Sequence, residues 1–370
     1  MVGMPSTPSP TVSTRRRERK APAWARPGLS WLIIFVPVSL IAELSQQALL
    51  VFITSGLAII PLAGLIGRST DQLAIRVGPR LGGLLNATFG NLTELIVGIL
   101  LVGAGQFQVV KASLIGSIVG NLLLVLGISF IAGGFRHPEQ RFNARAAGVH
   151  TASMLLAVTG LAVPAMLAGT NSHLAASHKE VVSAGVAVTL ILLYVAALVF
   201  MQFTHEHLFR TPESTERAAW SASLAMGVLL ASALLVGLES EFLVSSLDAA
   251  LHSLGLSALF VGLIFIPIIG NAAEHSSAVL FALKNKLDVT LEIAVGSSTQ
   301  VALFLAPALV FISLVIGRPM DFIFEGFEVG AVALATVIVA VISLDGRSNW
   351  LEGLQLVGVY AIVALAAFFL

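Results

Sequence analysis

The sequence predicts an all-α polytopic membrane protein of about eleven transmembrane helices, one leading helix followed by two inverted five-helix repeats. Three observations carry that expectation. Of the 370 residues, 57% are hydrophobic and 11% charged, with a mean hydropathy of +0.95, which leaves too little polar surface to clothe a soluble globule. Apolar stretches long enough to cross about 30 Å of hydrocarbon, roughly 20 residues each, recur along the chain. A Gly-Asn-x-x-Glu pattern also occurs twice inside such stretches, displaced by 180 residues.

Residues 1–28 mix Pro, Ser and Thr with Arg15, Arg16, Arg17, Arg19, Lys20 and Arg26. That composition cannot bury enough apolar area to fold, so a disordered basic cytoplasmic tail is expected. No small-residue cleavage site follows the first apolar run, which argues for a retained tail rather than a targeting peptide. A leading helix is expected over 29–46, with its span at 30–45; it is short and ends near Glu43. A first repeat over 47–204 holds spans at 48–67, 81–104, 109–133, 143–168 and 179–204. A cytoplasmic linker, 205–216, leads to a second repeat over 217–370 with spans at 217–238, 256–283, 288–315, 322–343 and 350–370.

Charge placement tests this count, because loops facing the cytoplasm are enriched in Lys and Arg. With the N-terminus inside, 17 of the 20 basic residues fall on the inner side, and Lys111, Lys179 and Arg318 fall on the outer one. The outer loop after the seventh span is expected to carry Glu239, Glu241 and Asp248 without a base. A multi-pass protein of the cell (inner) membrane with a cytoplasmic N-terminus follows as the expected location. Formal net charge is zero, so no overall field points to nucleic acid. The absence of cysteine from the sequence removes disulfides, thiolate nucleophiles and Cys-rich metal sites.

The repeat is more than one motif. Gly90-Asn91-Leu92-Thr93-Glu94 recurs as Gly270-Asn271-Ala272-Ala273-Glu274, and Gly116-Ser117 recurs as Gly296-Ser297 at the same displacement of 180. Five crossings per repeat is an odd number, so the halves lie inverted in the bilayer, an arrangement that builds two equivalent gates around a midplane site. Asn91 with Glu94, and Asn271 with Glu274, are three apart and share a helix face. Gly90 and Gly270 just before them permit a kink or unwound turn whose carbonyls face the site.

Glu94, Glu274, Asn91, Asn271, Ser117 and Ser297 together offer two carboxylates, two amide oxygens and two hydroxyls. These are hard oxygen donors, and Ca²⁺ takes six to eight of them. Two carboxylates balance a divalent charge where an uncompensated one costs several kcal/mol. Once the metal leaves, two bare carboxylates in low dielectric draw protons, so metal and protons compete for one site.

The repeated Gly-Asn-x-x-Glu, the run from Gly270 through Glu274 to His275, and Gly296-Ser297-Ser298-Thr299-Gln300 resemble the Ca²⁺/H⁺ antiporters of the cation/proton exchanger group, within the Ca²⁺/cation antiporter superfamily. The resemblance covers nearly the whole chain after the tail. It implies one leading span plus five and five, Glu94 and Glu274 as the exchange carboxylates, and Asn91, Asn271, Ser117, Ser297 and Gln300 around them. His275 matches a histidine that closes the second motif in that group. Ca²⁺ and H⁺ would be transported substrates, and no cofactor or enzymatic step is implied. In two places the chain departs from the pattern. Leu92 replaces a common alanine, and the linker has only Glu206, Glu213 and Glu216 where many relatives carry a strongly acidic segment.

Oxygen donors alone leave other readings standing. The same architecture suits Na⁺ coupling or another divalent cation; the family pattern favours protons. An intramembrane metalloenzyme using Glu274 and His275 would need a second histidine one helical turn away, and none stands at that spacing. A channel fits an inverted repeat less well than alternating access does. Asn121 lies four residues beyond Ser117 on the same face, which makes it a further candidate ligand. His205 and His207 flank Glu206 in what reads as a solvated loop, since residues two apart do not share a helix face. Glu43 and Glu292 fall near span boundaries, and Glu292 is a candidate for lining a path to the site.

Overall fold

A computed structural model describes residues 29–170, 175–209 and 218–370. The expected basic tail lies outside the described residues, as do Arg210, Arg217 and most of the linker. Among the described residues ten helices are long and apolar enough to cross a membrane, and a shorter one precedes them. We number them α1 (Leu29–Leu44), α2 (Ala48–Val77), α3 (Leu81–Ala104), α4 (Phe107–Arg136), α5 (Ala144–Thr170), α6 (His178–Thr204), α7 (Ala222–Ser245), α8 (Ala258–Leu283), α9 (Leu287–Ile316), α10 (Gly326–Asp345) and α11 (Trp350–Phe369). Helices are what lipid demands, because each backbone N–H and C=O must find its partner within the segment.

α1 shows how a short apolar run is stretched. Its first six residues, Leu29–Ile34, form a 3₁₀ turn before ten α-helical ones. At about 2.0 Å per 3₁₀ residue and 1.5 Å per α residue, it reaches roughly 27 Å.

Contacts between loops sort the connections onto two opposite faces. On one face the only strand pair among the described residues joins Gln140–Arg141 to Arg347–Ser348. There Gln140 also donates to the Ala282 carbonyl, Asn143 N–H donates to Asp288, and Arg76 donates to the Trp220 carbonyl. On the other face Gln106 donates to Asp248, and Lys111 pairs with Asp321. These pairings join the connections that eleven alternating crossings place together, with the Arg-rich loops on one side.

One expected loop is corrected. The seventh span does not end near 238: α7 runs to Ser245, so Glu239 and Glu241 are helical and only Asp248 lies beyond. The helix accommodates Glu239 because Ser39 of α1 donates to its Oε1 at 2.8 Å, with both side chains buried.

The core is not shared evenly. α2, α4 and α9 are each 30 residues long, and α4 buries 83% of its most apolar window against 17% for α6. Buried Thr and Ser hydroxyls such as Thr54, Ser55 and Thr70 donate to backbone carbonyls one turn earlier, so these polar groups are satisfied inside their own helices.

α4 and α11 approach through glycines. A Cβ on Gly127 would lie 2.8 Å from the Gly353 carbonyl oxygen, and one on Gly353 would lie 2.6 Å from that of Gly127. Gly353→Val should therefore wedge these helices apart at a cost of about 1–3 kcal/mol. The expected result is a thermal unfolding midpoint several degrees lower in detergent, with Gly358→Ala, in open space on the same helix, close to the parent.

Candidate cation site

α3 breaks at Gly90-Asn91. One helical segment ends at Phe89, the next begins at Leu92, and Asn91 occupies the N-cap without using its side chain to cap. That side chain crosses to α9 instead: Asn91 Nδ2 donates to Gln300 Oε1 at 2.8 Å, and Asn91 Oδ1 accepts from Ser297 Oγ at 3.2 Å. Ser297 Oγ also lies 3.4 Å from Glu274 Oε2, so a single hydroxyl proton chooses between an amide and a carboxylate. In the other half Asn271 Nδ2 donates to Ser117 Oγ at 3.3 Å and to the Pro267 carbonyl at 3.1 Å, and its amide lies against the Glu94 carboxylate.

Each half thus completes the other. Asn91 meets Ser297 and Asn271 meets Ser117, the exchange of partners that a two-fold relation between residues 180 apart produces. Glu94 and Glu274 are near enough to feel each other's charge. Both are half-buried, so each retains accessible surface deep in the helical array. All six residues of the predicted donor set come together. Of the secondary candidates, Gln300 joins through Asn91, and Asn121 pairs its Oδ1 with His275 Nε2 at 3.2 Å. The expected break falls just after Gly90, which keeps helical dihedrals, at Asn91. Gly270 has no such break beside it, because α8 is continuous through it; a Cβ there would lie 3.8 Å from Glu94 Cγ, so this glycine makes room for the opposite carboxylate.

Glu94 Oε1 and Asn121 Nδ2 are buried without a hydrogen-bond partner among the described residues. Buried polar atoms are nearly always paired, and an unpaired carboxylate oxygen beside neutral amides and hydroxyls suits a hard cation. Among the described residues no three His, Asp or Glu side chains converge as a metal cluster. Two charged groups near the site are not evident from sequence. Asp71 on α2 acts electrostatically on Glu274, and His150 on α5 bonds Glu292 Oε2 through Nε2 at 2.9 Å. Asp71 is hidden between Arg68 and Arg76 in the sequence. The His150–Glu292 pair spans 142 positions with no local pattern to announce it.

The two approaches to the site differ. Toward the face of Gln106 and Asp248 they are closed: the start of α4 packs on the start of α8, where a Cβ on Gly116 would collide with the Leu263 carbonyl and one on Gly262 would lie 2.6 Å from Ala112 Cβ. The symmetry-related pair, the starts of α9 and α3, has no such packing. The atoms nearest a Cβ on Gly296 would be those of Glu292 and His150, and those nearest one on Gly82 would be those of Ala74, so neither glycine faces the partner helix as Gly116 and Gly262 do. Exposure agrees, for Val261 is 1% exposed and its counterpart Leu81 is 58% exposed. The site is therefore open toward the Arg-rich face.

Comparison with known proteins adds to this geometry. The sodium/calcium exchanger protein family matches residues 47–203 and 224–369. The chain is 46% identical over 357 residues to a Ca²⁺/H⁺ antiporter of Synechocystis sp., covering 91% of this chain and 96% of that protein. It is 43% identical over 355 residues to a Ca²⁺/H⁺ antiporter of Aphanothece halophytica, covering 91% and 95%. The solved structure of native YfkE superposes with a TM-score of 0.81 at 37% identity, covering 93% of this chain and all of that one.

The open side can be tested directly because the sequence contains no cysteine. Asn86 is exposed one turn before Gly90, whereas its counterpart Ile266 is buried at 7%. A membrane-impermeant maleimide should label Asn86→Cys at least about tenfold faster than Ile266→Cys, since thiol reactivity follows access. Equal labelling would mean that the two gates are in the same state.

Proposed function

The chain belongs to the sodium/calcium exchanger protein family, in its Ca²⁺/H⁺ antiporter branch, and on that premise we propose that it exchanges Ca²⁺ for protons across a membrane by alternating access. In this reading the Arg-rich face is cytoplasmic, as the distribution of basic loop residues favours, and the conformation is the inward-open one. The observation that carries the proposal is the pairing of Glu94 and Glu274 at the meeting point of the halves, each beside an asparagine and a serine hydroxyl.

Glu94 and Glu274 supply charge to Ca²⁺, while Asn91, Asn271, Ser117 and Ser297 supply neutral oxygens. The amides and hydroxyls have a second task. When a proton replaces the metal, Ser297 turns its hydroxyl from Glu274 to Asn91, a switch that the 3.4 and 3.2 Å distances allow without backbone movement. The array then stays hydrogen-bonded in both loads. Two bare carboxylates in low dielectric are costly, so the empty site resists the closing of either gate, and the exchanger does not slip. No bond is made or broken in the cargo. The protein's contribution is binding, neutralisation and a change of access.

Reconstituted vesicles provide the test. A pH gradient should drive Ca²⁺ uptake, and Glu94→Gln or Glu274→Gln should lower it by at least about 100-fold, the loss expected when one of two charges on a divalent ion in a dry site is removed. Uptake that followed only a Na⁺ gradient, or that survived both substitutions, would overturn the proposal.

Competition between metal and protons also sets a sign for the pH dependence. Ca²⁺ binds the deprotonated pair, so apparent affinity should rise with pH. The slope should approach about two decades per pH unit while both carboxylates titrate, and about one decade in either glutamine variant. Isothermal titration in detergent across pH 6–9 would check this, and a flat profile would exclude shared sites.

A further inference from the structure

The two gates are built from matching segments but not from matching residues. In the closed gate Ala112 of α4, 0% exposed, lies against Gly262 of α8. Displaced by 180 residues, the same contact in the open gate pairs Glu292 of α9 with Gly82 of α3. Register supports that pairing. α3 and α9 both start on the Arg-rich face, and a Cβ on Gly90 would lie 4.0 Å from Gln300 Oε1. Eight residues earlier on each helix stand Gly82 and Glu292. The Glu292 side chain is 56% exposed, which marks an open recess beside it.

Closing this gate by the same motion that packs Gly262 on Ala112 would press the α3 backbone onto Glu292 and take its carboxylate out of water. His150 of α5, whose side chain is 6% exposed, holds that carboxylate from the opposite side at 2.9 Å. The other charged or titratable groups toward this face on the elements around Glu292 are Arg145 of α5, Arg136 of α4, Glu274 and His275 of α8, Asp288 on its own helix with Lys284 and Lys286 just before it, and Arg68, Asp71 and Arg76 of α2. Asp288 accepts from the Asn143 N–H. Among these groups His150 is in hydrogen-bonding contact with the carboxylate.

We propose that Glu292 and His150 form the latch of the cytoplasmic gate: the gate closes over Glu292 only when the His150 side chain shares a proton with its carboxylate. The pair positions the gate and does not hold the transported Ca²⁺. This inference rests on the alternating-access reading above, but it is tested by a probe of gate position as well as by flux.

In a chain carrying the single cysteine Asn86→Cys, labelling from the Arg-rich side reports how long the recess stays open. His150→Gln leaves a carboxylate that must be buried uncompensated. It should raise the labelling rate, and it should slow pH-driven Ca²⁺ uptake by at least about tenfold. The double variants Glu292→Ala/His150→Gln, which copies Ala112, and Glu292→Gln/His150→Gln, which keeps the side-chain volume, should restore both readouts to within about twofold of the parent. The latch is disproved if His150→Gln leaves labelling at the parental rate, or if both double variants label and transport as His150→Gln does. If the parent failed to exchange Ca²⁺ for protons, the functional reading would fall, while the labelling series would still decide the latch.

Discussion

Most of this architecture answers to one constraint, the cost of an unbalanced charge in hydrocarbon. Glu94 and Glu274 lie deep in an array of apolar helices, and each would be expensive there alone. Placing them together makes them affordable only in company with a cation or with protons. In the proposed exchange the rest of the site keeps that company interchangeable: neutral amides and hydroxyls bond in either load, and Gly90 and Gly270 leave room for Gln300 and Glu94 of the opposite half. Because cargo and co-substrate satisfy the same debt of charge, coupling needs no separate device.

The inverted halves follow from the same constraint. A site at mid-membrane must be reached from either face but never from both, and two copies of one gate in opposite orientation meet that need with one set of packing rules. Here one gate is shut on Ala112 and Gly262 and the other stands open between Glu292 and Gly82. The structure therefore contains its own comparison, since Glu292 and Gly82 of the open gate correspond to Ala112 and Gly262 of the closed one.

How much of this was legible in the sequence depended on whether the signal was local. Span positions were, because hydropathy over about 20 residues reflects bilayer thickness directly. Even so, α7 extends past Glu239, whose partner Ser39 is 200 positions away and invisible to any window. That six polar side chains converge was legible because duplication wrote the pattern twice. Gly90 and Gly270 looked alike for that reason, yet the helix breaks only after the first; the second is a space for Glu94, a role set by the opposite half. His150, Asp71 and the state of the gates had no repeated pattern and no local spacing. Each is a matter of what folds onto what.

The residues that break the repeat carry a different kind of information from those that keep it. A pair of identical gates would close with equal ease, and nothing but the gradients would give the cycle a direction of response. Glu292 in place of an alanine, held by a histidine without a counterpart in the other half, would make one closed gate dry and the other ionic. Burying an ion pair is tolerable only while both members are charged and bonded, so the proposed latch places on the gate at the Arg-rich face a condition that the other gate lacks. In the proposed cycle the shared residues would bind the cargo, whereas the unshared ones would decide from which side, and in what protonation state, the cargo is released to move.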